Sequence, residues 1–158
     1  MATYAVGGKS GNIGASYTGC AVTWAPSSNP ARHKWYEFIL GATANPNTTD
    51  TYIQVDISRL SGTTSLAGTA FTPAPTDPAD AASLTLAANT ITTEVNSAIL
   101  GVSLFNTGIN QRATVRWIAA QESQYLIVPA TSQNGLELRA ESGTYASTMD
   151  AQVSFMGS

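Results

Sequence analysis

From residue 34 onward, hydrophobic and polar positions alternate with period two, the spacing of strands that bury one face. In TYIQVDIS (51–58), Ile53, Val55 and Ile57 fall on one side and Gln54, Asp56 and Ser58 on the other. That predicts a strand with one face on a core and its polar face in water. KWYEFIL (34–40) sets Tyr36, Phe38 and Leu40 against Trp35, Glu37 and Ile39, so both of its faces are partly apolar. ILGVSLF (99–105) alternates Leu100, Val102 and Leu104, and QRATVRWIA (111–119) sets Ala113, Val115 and Trp117 against Arg112, Thr114 and Arg116. YLIVPA (125–130) is a short apolar run closed by Pro129; GLELRAE (135–141) and AQVSF (151–155) alternate again. Turn-rich stretches separate these runs at ANPNTTD (44–50), SGTTSLAG (61–68) and PAPTDPAD (73–80). About eight strands at intervals of roughly 8–15 residues predict an all-β sandwich or barrel. DAASLTLAA (80–88) is the one short helix candidate, with Asp80 placed to cap it.

Residues 1–30 read differently. Small residues dominate, and only Tyr4–Val6 and CAVTW (20–24) look like strands. The segment is expected to be an extended N-terminal arm, or strands lent to a neighbour's sheet, ahead of a sandwich domain over 31–158.

Composition narrows the function classes. Hydrophobic residues make up 43% of the 158 and charged residues 11%, far from the polar, highly charged balance of a disordered chain. Seven scattered Lys and Arg and a net charge of −3 argue against nucleic acid, which requires clustered cations. A single cysteine, Cys20, makes no internal disulfide. No apolar run reaches the ~18 residues that span a bilayer, and no signal-peptide pattern opens the chain, so synthesis in a cytoplasm is expected. A surface rich in Thr and Ala and poor in charge accords with life in an assembly.

Candidate chemistry is sparse. Gly8-Lys9-Ser10 ends like a phosphate loop, but the glycine required five places earlier is replaced by Thr3. His33, between Arg32 and Lys34, reads as a surface histidine, and one His with one Cys cannot build a four-ligand zinc site. Asp77/Asp80 and Glu137/Glu141 are carboxylate pairs of the kind glycosidases use, and equally a turn and a solvated strand face. Asn47-Thr48-Thr49 reads as a turn. Arg112 and Arg116 project from one strand face around Thr114, with the Glu137/Glu141 face as a candidate partner, either an ordinary ion pair or an interchain clamp. Trp24 and Trp35 fit an interface or a sugar-stacking ligand site, while Trp117 belongs with the core.

The stretch Asn110-Gln111-Arg112-Ala113-Thr114-Val115-Arg116-Trp117-Ile118-Ala119-Ala120, with Leu126-Ile127-Val128-Pro129-Ala130-Thr131, Asn134-Gly135-Leu136 and the turn Asp77-Pro78-Ala79-Asp80-Ala81-Ala82, resembles the head decoration (cement) proteins of tailed bacteriophages over roughly residues 75–140. The resemblance implies a jelly-roll-like antiparallel β-sandwich, a homotrimer, and attachment to the major capsid protein on the outer capsid surface of the virion. It implies no catalytic residues, metal, cofactor, nucleic acid or membrane. Tyr4, Lys9 and Tyr17 in the expected arm, with Trp24, Trp35, Arg112 and Arg116, are the interface candidates. A carbohydrate- or receptor-binding module of a tail fibre is the alternative, and a glycan-cleaving enzyme a third class on the same scaffold.

Overall fold

The computed structural model describes residues 1–43, 45–61, 69–89, 91 and 100–157. The chain is a two-sheet antiparallel β-sandwich, with 12 strands among the described residues: β1 (Ala2–Lys9), β2 (Thr18–Trp24), β3 (His33–Ala42), β4 (Tyr52–Leu60), β5 (Thr69–Phe71), β6 (Ala74–Pro75), β7 (Leu86–Asn89), β8 (Leu100–Asn110), β9 (Thr114–Ile118), β10 (Leu126–Val128), β11 (Gly135–Glu141) and β12 (Met149–Gly157). A three-residue 3-10 turn, Glu122–Gln124, is the helical element among the described residues. The turn expected at SGTTSLAG lies, apart from Ser61, outside these residues.

One sheet, here sheet A, runs β10-β3-β12-β1-β6 with β9 also on β3; the other, sheet B, runs β5-β7-β2-β11-β4-β8. Setting aside β5–β7 and β10, the orders are β9-β3-β12-β1 and β2-β11-β4-β8, with successive strands passing between the sheets except at β4 and β8, which pair directly. That is the jelly-roll order. The strands β5–β7 extend the sheets at the sides remote from β8 and β9.

The core forms where the inner faces meet. Across sheet A, Tyr4, Phe155 and Trp35 make one row and Val6, Val153, Phe38 and Trp117 the next. Tyr4 stacks on Phe155 at 5.5 Å between centroids and Phe38 on Trp117 at 5.8 Å, while Phe105 of sheet B meets Phe38 edge-on at 5.1 Å. Sheet B contributes Ile53, Val55, Ile57, Leu136, Leu138 and Ala140, all fully buried. Gly135 allows β11 to pass close to β2, because a Cβ there would collide with the Thr23 carbonyl oxygen.

Several expectations change. Residues 1–30 do not form an arm: β1 lies inside sheet A between β12 and β6, and β2 inside sheet B between β11 and β7. Tyr4 and Val6 alternate inward as core residues, a signal diluted in the sequence by Gly7 and Gly8. Residues 80–88 are not helical. Asp77 closes a tight turn, its carboxylate accepting from the Ala79 amide at 2.9 Å and its carbonyl from the Asp80 amide at 3.0 Å. The chain then enters β7, where buried Ala87 and Ala88 pair with β2, so tertiary pairing overrides alanine's helix preference. Register irregularities explain two misread faces. A shift opposite Ser154/Phe155 turns Trp35 inward with Phe38 and Leu40, leaving Tyr36 half-buried. Another around Leu104 points Phe105, Thr107 and Ile109 at the core-facing residues of β4 and leaves Val102 72% exposed.

Candidate interaction surface

The outward face of sheet A is laid out by its register. Lys9, Asp150, Gly41 and Thr114 form one row; Gly7, Gln152, Ile39 and Arg116 the next; Ala5, Ser154, Glu37 and Ile118 a third. With Gly7 and Gly41 supplying no side chains, a shallow trough of about 590 Å³ opens between Lys9, Asp150 and Thr114, floored by Ile39. At the end of β9, Ile118 is 51% exposed. A half-buried apolar centre ringed by both signs of charge is the layout of a protein contact surface.

Of the interface candidates, Lys9 and Arg116 belong to this face, and Arg112 stands beside it in the turn before β9. Their partners differ from the expectation. Arg116 pairs with Glu37 at 2.6 Å, its nearest carboxylate on the same face, and Arg112 with Asp50 at 2.7 Å. The Arg112 guanidinium holds the Asp50 carboxyl below the usual carboxylate range. Glu137 is buried in sheet B, away from either arginine. Gly8 and Lys9 close β1 opposite Ala151 and Asp150, so Gly8-Lys9-Ser10 is the end of a strand and not a phosphate loop.

Tyr4 and Trp35 are core residues and leave the surface set: Tyr4 is 1% exposed and Trp35 not at all. Trp24 is half-buried against Val22, Leu60, Ala88 and Ile91. With Trp117 stacked on Phe38, the three tryptophans occupy three separate settings and form no sugar-stacking row. His33 is likewise no surface residue. Trp35 Nε1 donates to Thr23 Oγ1 at 2.7 Å, and the Thr23 hydroxyl is hydrogen-bonded in turn to His33 Nε2 at 2.7 Å. Burial pushes the His33 pKa down to about 4, against a smaller opposing pull from the Ala31 backbone.

The outer face of sheet B holds a polar cluster that the alternation pattern assigned to water. Asp56 is 1% exposed. Its Oδ2 accepts from Arg139 Nε at 2.7 Å and Ser58 Oγ at 2.6 Å; its Oδ1 accepts from Ser103 Oγ and, at 3.2 Å, from Asn106 Nδ2. Burial pushes this carboxyl up, but the four donors outweigh it and hold it below its ordinary value. Tyr17, half-buried, lies with its ring 4.2 Å from the Arg139 guanidinium carbon. Burial raises its hydroxyl pKa, helped by the Glu141 and Asp56 charges and opposed by Asn106 and Arg139. Nothing in the alternation marks this cluster; the serines at 58 and 103 beside a lone acid are the one available hint.

No group of three or more His, Cys, Asp or Glu among the described residues is arranged to hold a metal ion, and no described helix is long and apolar enough to cross a membrane. Asp77 and Asp80 are exposed and occupied with their own turn. Comparison with family models, with curated proteins and with solved structures returns no match.

Proposed function

We propose that the chain is a structural virion protein that decorates the outside of a tailed-phage capsid and stabilises it by bridging neighbouring major capsid subunits. It is made in the host cytoplasm and acts on the assembled head. The observation that carries this reading is the setting of the segment bearing the resemblance. From Arg112 through Ile127 no residue is fully buried; Val115, Trp117 and Leu126 pack against the core from one side, and the other side of this ribbon, from β9 through the 3-10 turn to the start of β10, is free to serve as contact surface. It borders the outward face of sheet A, where Ile39 and Ile118 sit among Lys9, Asp150, Glu37 and Arg116, and we assign the capsid contact to that face.

The energetics fit such a role. A protein that binds the assembled shell and not free subunits shifts the equilibrium toward the shell by mass action. Weak contacts repeated over a lattice accumulate into avidity. Charge pairs at the rim set orientation more than affinity.

Quantitative mass spectrometry of purified virions tests the proposal. Hundreds of copies per particle are expected; a handful would place the protein in the tail and end the decoration reading.

A further inference from the structure

Among the described residues the sheets present four edges, and three are short: β6 has two residues, β5 three, and β9 and β10 share an edge with five and three. Short edges offer few free backbone groups, a common protection against stray strand addition. The fourth edge, β8, lacks that protection. It runs 11 residues, LGVSLFNTGIN, without a charge or a proline, and β4 is its one partner among the described residues. None of residues 102–110 is buried. Phe105 and Ile109 pack on the main core yet stay half-exposed, as though the layer stopped one strand short.

From this we infer that β8 is a self-pairing edge: two copies of the chain join β8 to β8, antiparallel, in one continuous sheet. The register follows from two constraints. The ladder irregularities against β4 involve the stretch before Phe105, so Phe105–Asn110 is the regular half. Residues opposite one another in a ladder share a face, so the core-facing Phe105, Thr107 and Ile109 must meet their like. A two-fold axis at Thr107 satisfies both, setting Thr107 against Thr107 and Phe105 against Ile109 twice over. Threonine pairs and aromatic–β-branched pairs are among the favourable cross-strand combinations. Asn106 then lies opposite Gly108, and the axis brings no like charges together.

The same comparison of edges selects the occupant. A head-to-tail contact would set β8 against an edge of two to five residues, one of them carrying Arg116, whereas a second β8 matches it in length and neutrality. The contact is therefore isologous and closes at two copies. It stands independently of the capsid reading, and it predicts two-fold association where the sequence resemblance implies a trimer.

Sedimentation velocity on the full chain at micromolar concentration, with and without Gly108→Lys, tests this. Gly108 is exposed and a Cβ there meets only Gln54 Oε1, at 3.8 Å, so the variant keeps its fold while the axis brings two lysines close. A wild-type dimer that becomes monomeric in the variant is the expected result. As a second arm that does not depend on that variant folding, Thr107→Cys should cross-link to its own copy under mild oxidation and Val102→Cys should not; Cys20 is buried and stays out of the reaction. A monomeric wild type, a trimer, a dimer indifferent to Gly108→Lys, or equal cross-linking at 102 and 107 would each overturn the inference. A wild-type monomer whose binding to virions is lost in the variant would assign the edge to another protein.

Discussion

Acidification offers a direct test of how the core is built around His33. The imidazole is fully buried and held by the Thr23 hydroxyl, which itself accepts from Trp35. In the folded chain its pKa is about 4, against 6.5 when unfolded. The folded value is depressed, so the stability linked to this group is fully present above pH 6.5. It is lost as pH falls, because the unfolded chain takes up a proton that the native core refuses. Below about pH 4 both states are protonated and the loss levels off. A pKa difference of this size corresponds to about 1 kcal/mol lost by pH 5.5 and about 3 kcal/mol by pH 4. Urea denaturation between pH 7.5 and pH 4 measures it, provided the carboxylates are subtracted. His33→Gln does this, since its amide can still hydrogen-bond Thr23, as donor or acceptor, but does not titrate. The wild type should lose about 3 kcal/mol more than the variant over that range. Parallel pH profiles would refute the claim that a neutral imidazole is built into the core.

Other perturbations address the remaining features. Asp56→Ala withdraws the carboxylate facing Arg139, whose side chain is 12% exposed, and should destabilise the fold by about 3–5 kcal/mol in urea; a loss below about 1 kcal/mol would mean the pair behaves as a surface one. Gly135→Ala should cost about 1–3 kcal/mol because the added methyl collides with the Thr23 backbone and not with a yielding side chain, and an unchanged melting temperature would show that β2 and β11 can spread. Cys20 is buried and its thiol is pushed up to about 12 by burial, with the Glu137 charge adding to it. It should therefore resist maleimide labelling in the native state and react fully in denaturant, and rapid native labelling would contradict its placement.

The sequence showed the strands and missed much of how they are assembled. Ile53, Val55 and Ile57, or Leu136 and Leu138, announce inward faces because alternation is a local property of the backbone. The inclusion of β1 and β2 in the body was not legible, since what holds them is pairing with β12 and β11, more than a hundred residues away. Gly7, Gly8 and Gly19 also thin the hydrophobic signal there. Trp35 and Phe105 escaped their proper faces because a single extra residue in a ladder reverses the alternation on one side of it. The surface was the least legible. Arg116 finds Glu37 because β9 lies beside β3, and Asp56 is buried because four donors from three strands surround it; apart from Ser58, none of these neighbours is near in sequence. The exposed ribbon from Arg112 was legible as strand and turn, but not as a boundary of sheet A.

The pairing of β1 with β12 along its whole length has a consequence for biosynthesis. The middle of sheet A cannot close until β12 has left the ribosome, so the nascent chain must carry Tyr4 and Val6 uncovered until then. Closure of this sheet is thereby late, and slowed by contacts between strands more than a hundred residues apart. The same adjacency, Ala2 beside Gly157, means that a short linker could join the two and new ends be opened in an exposed turn, giving a permuted chain with the same sandwich.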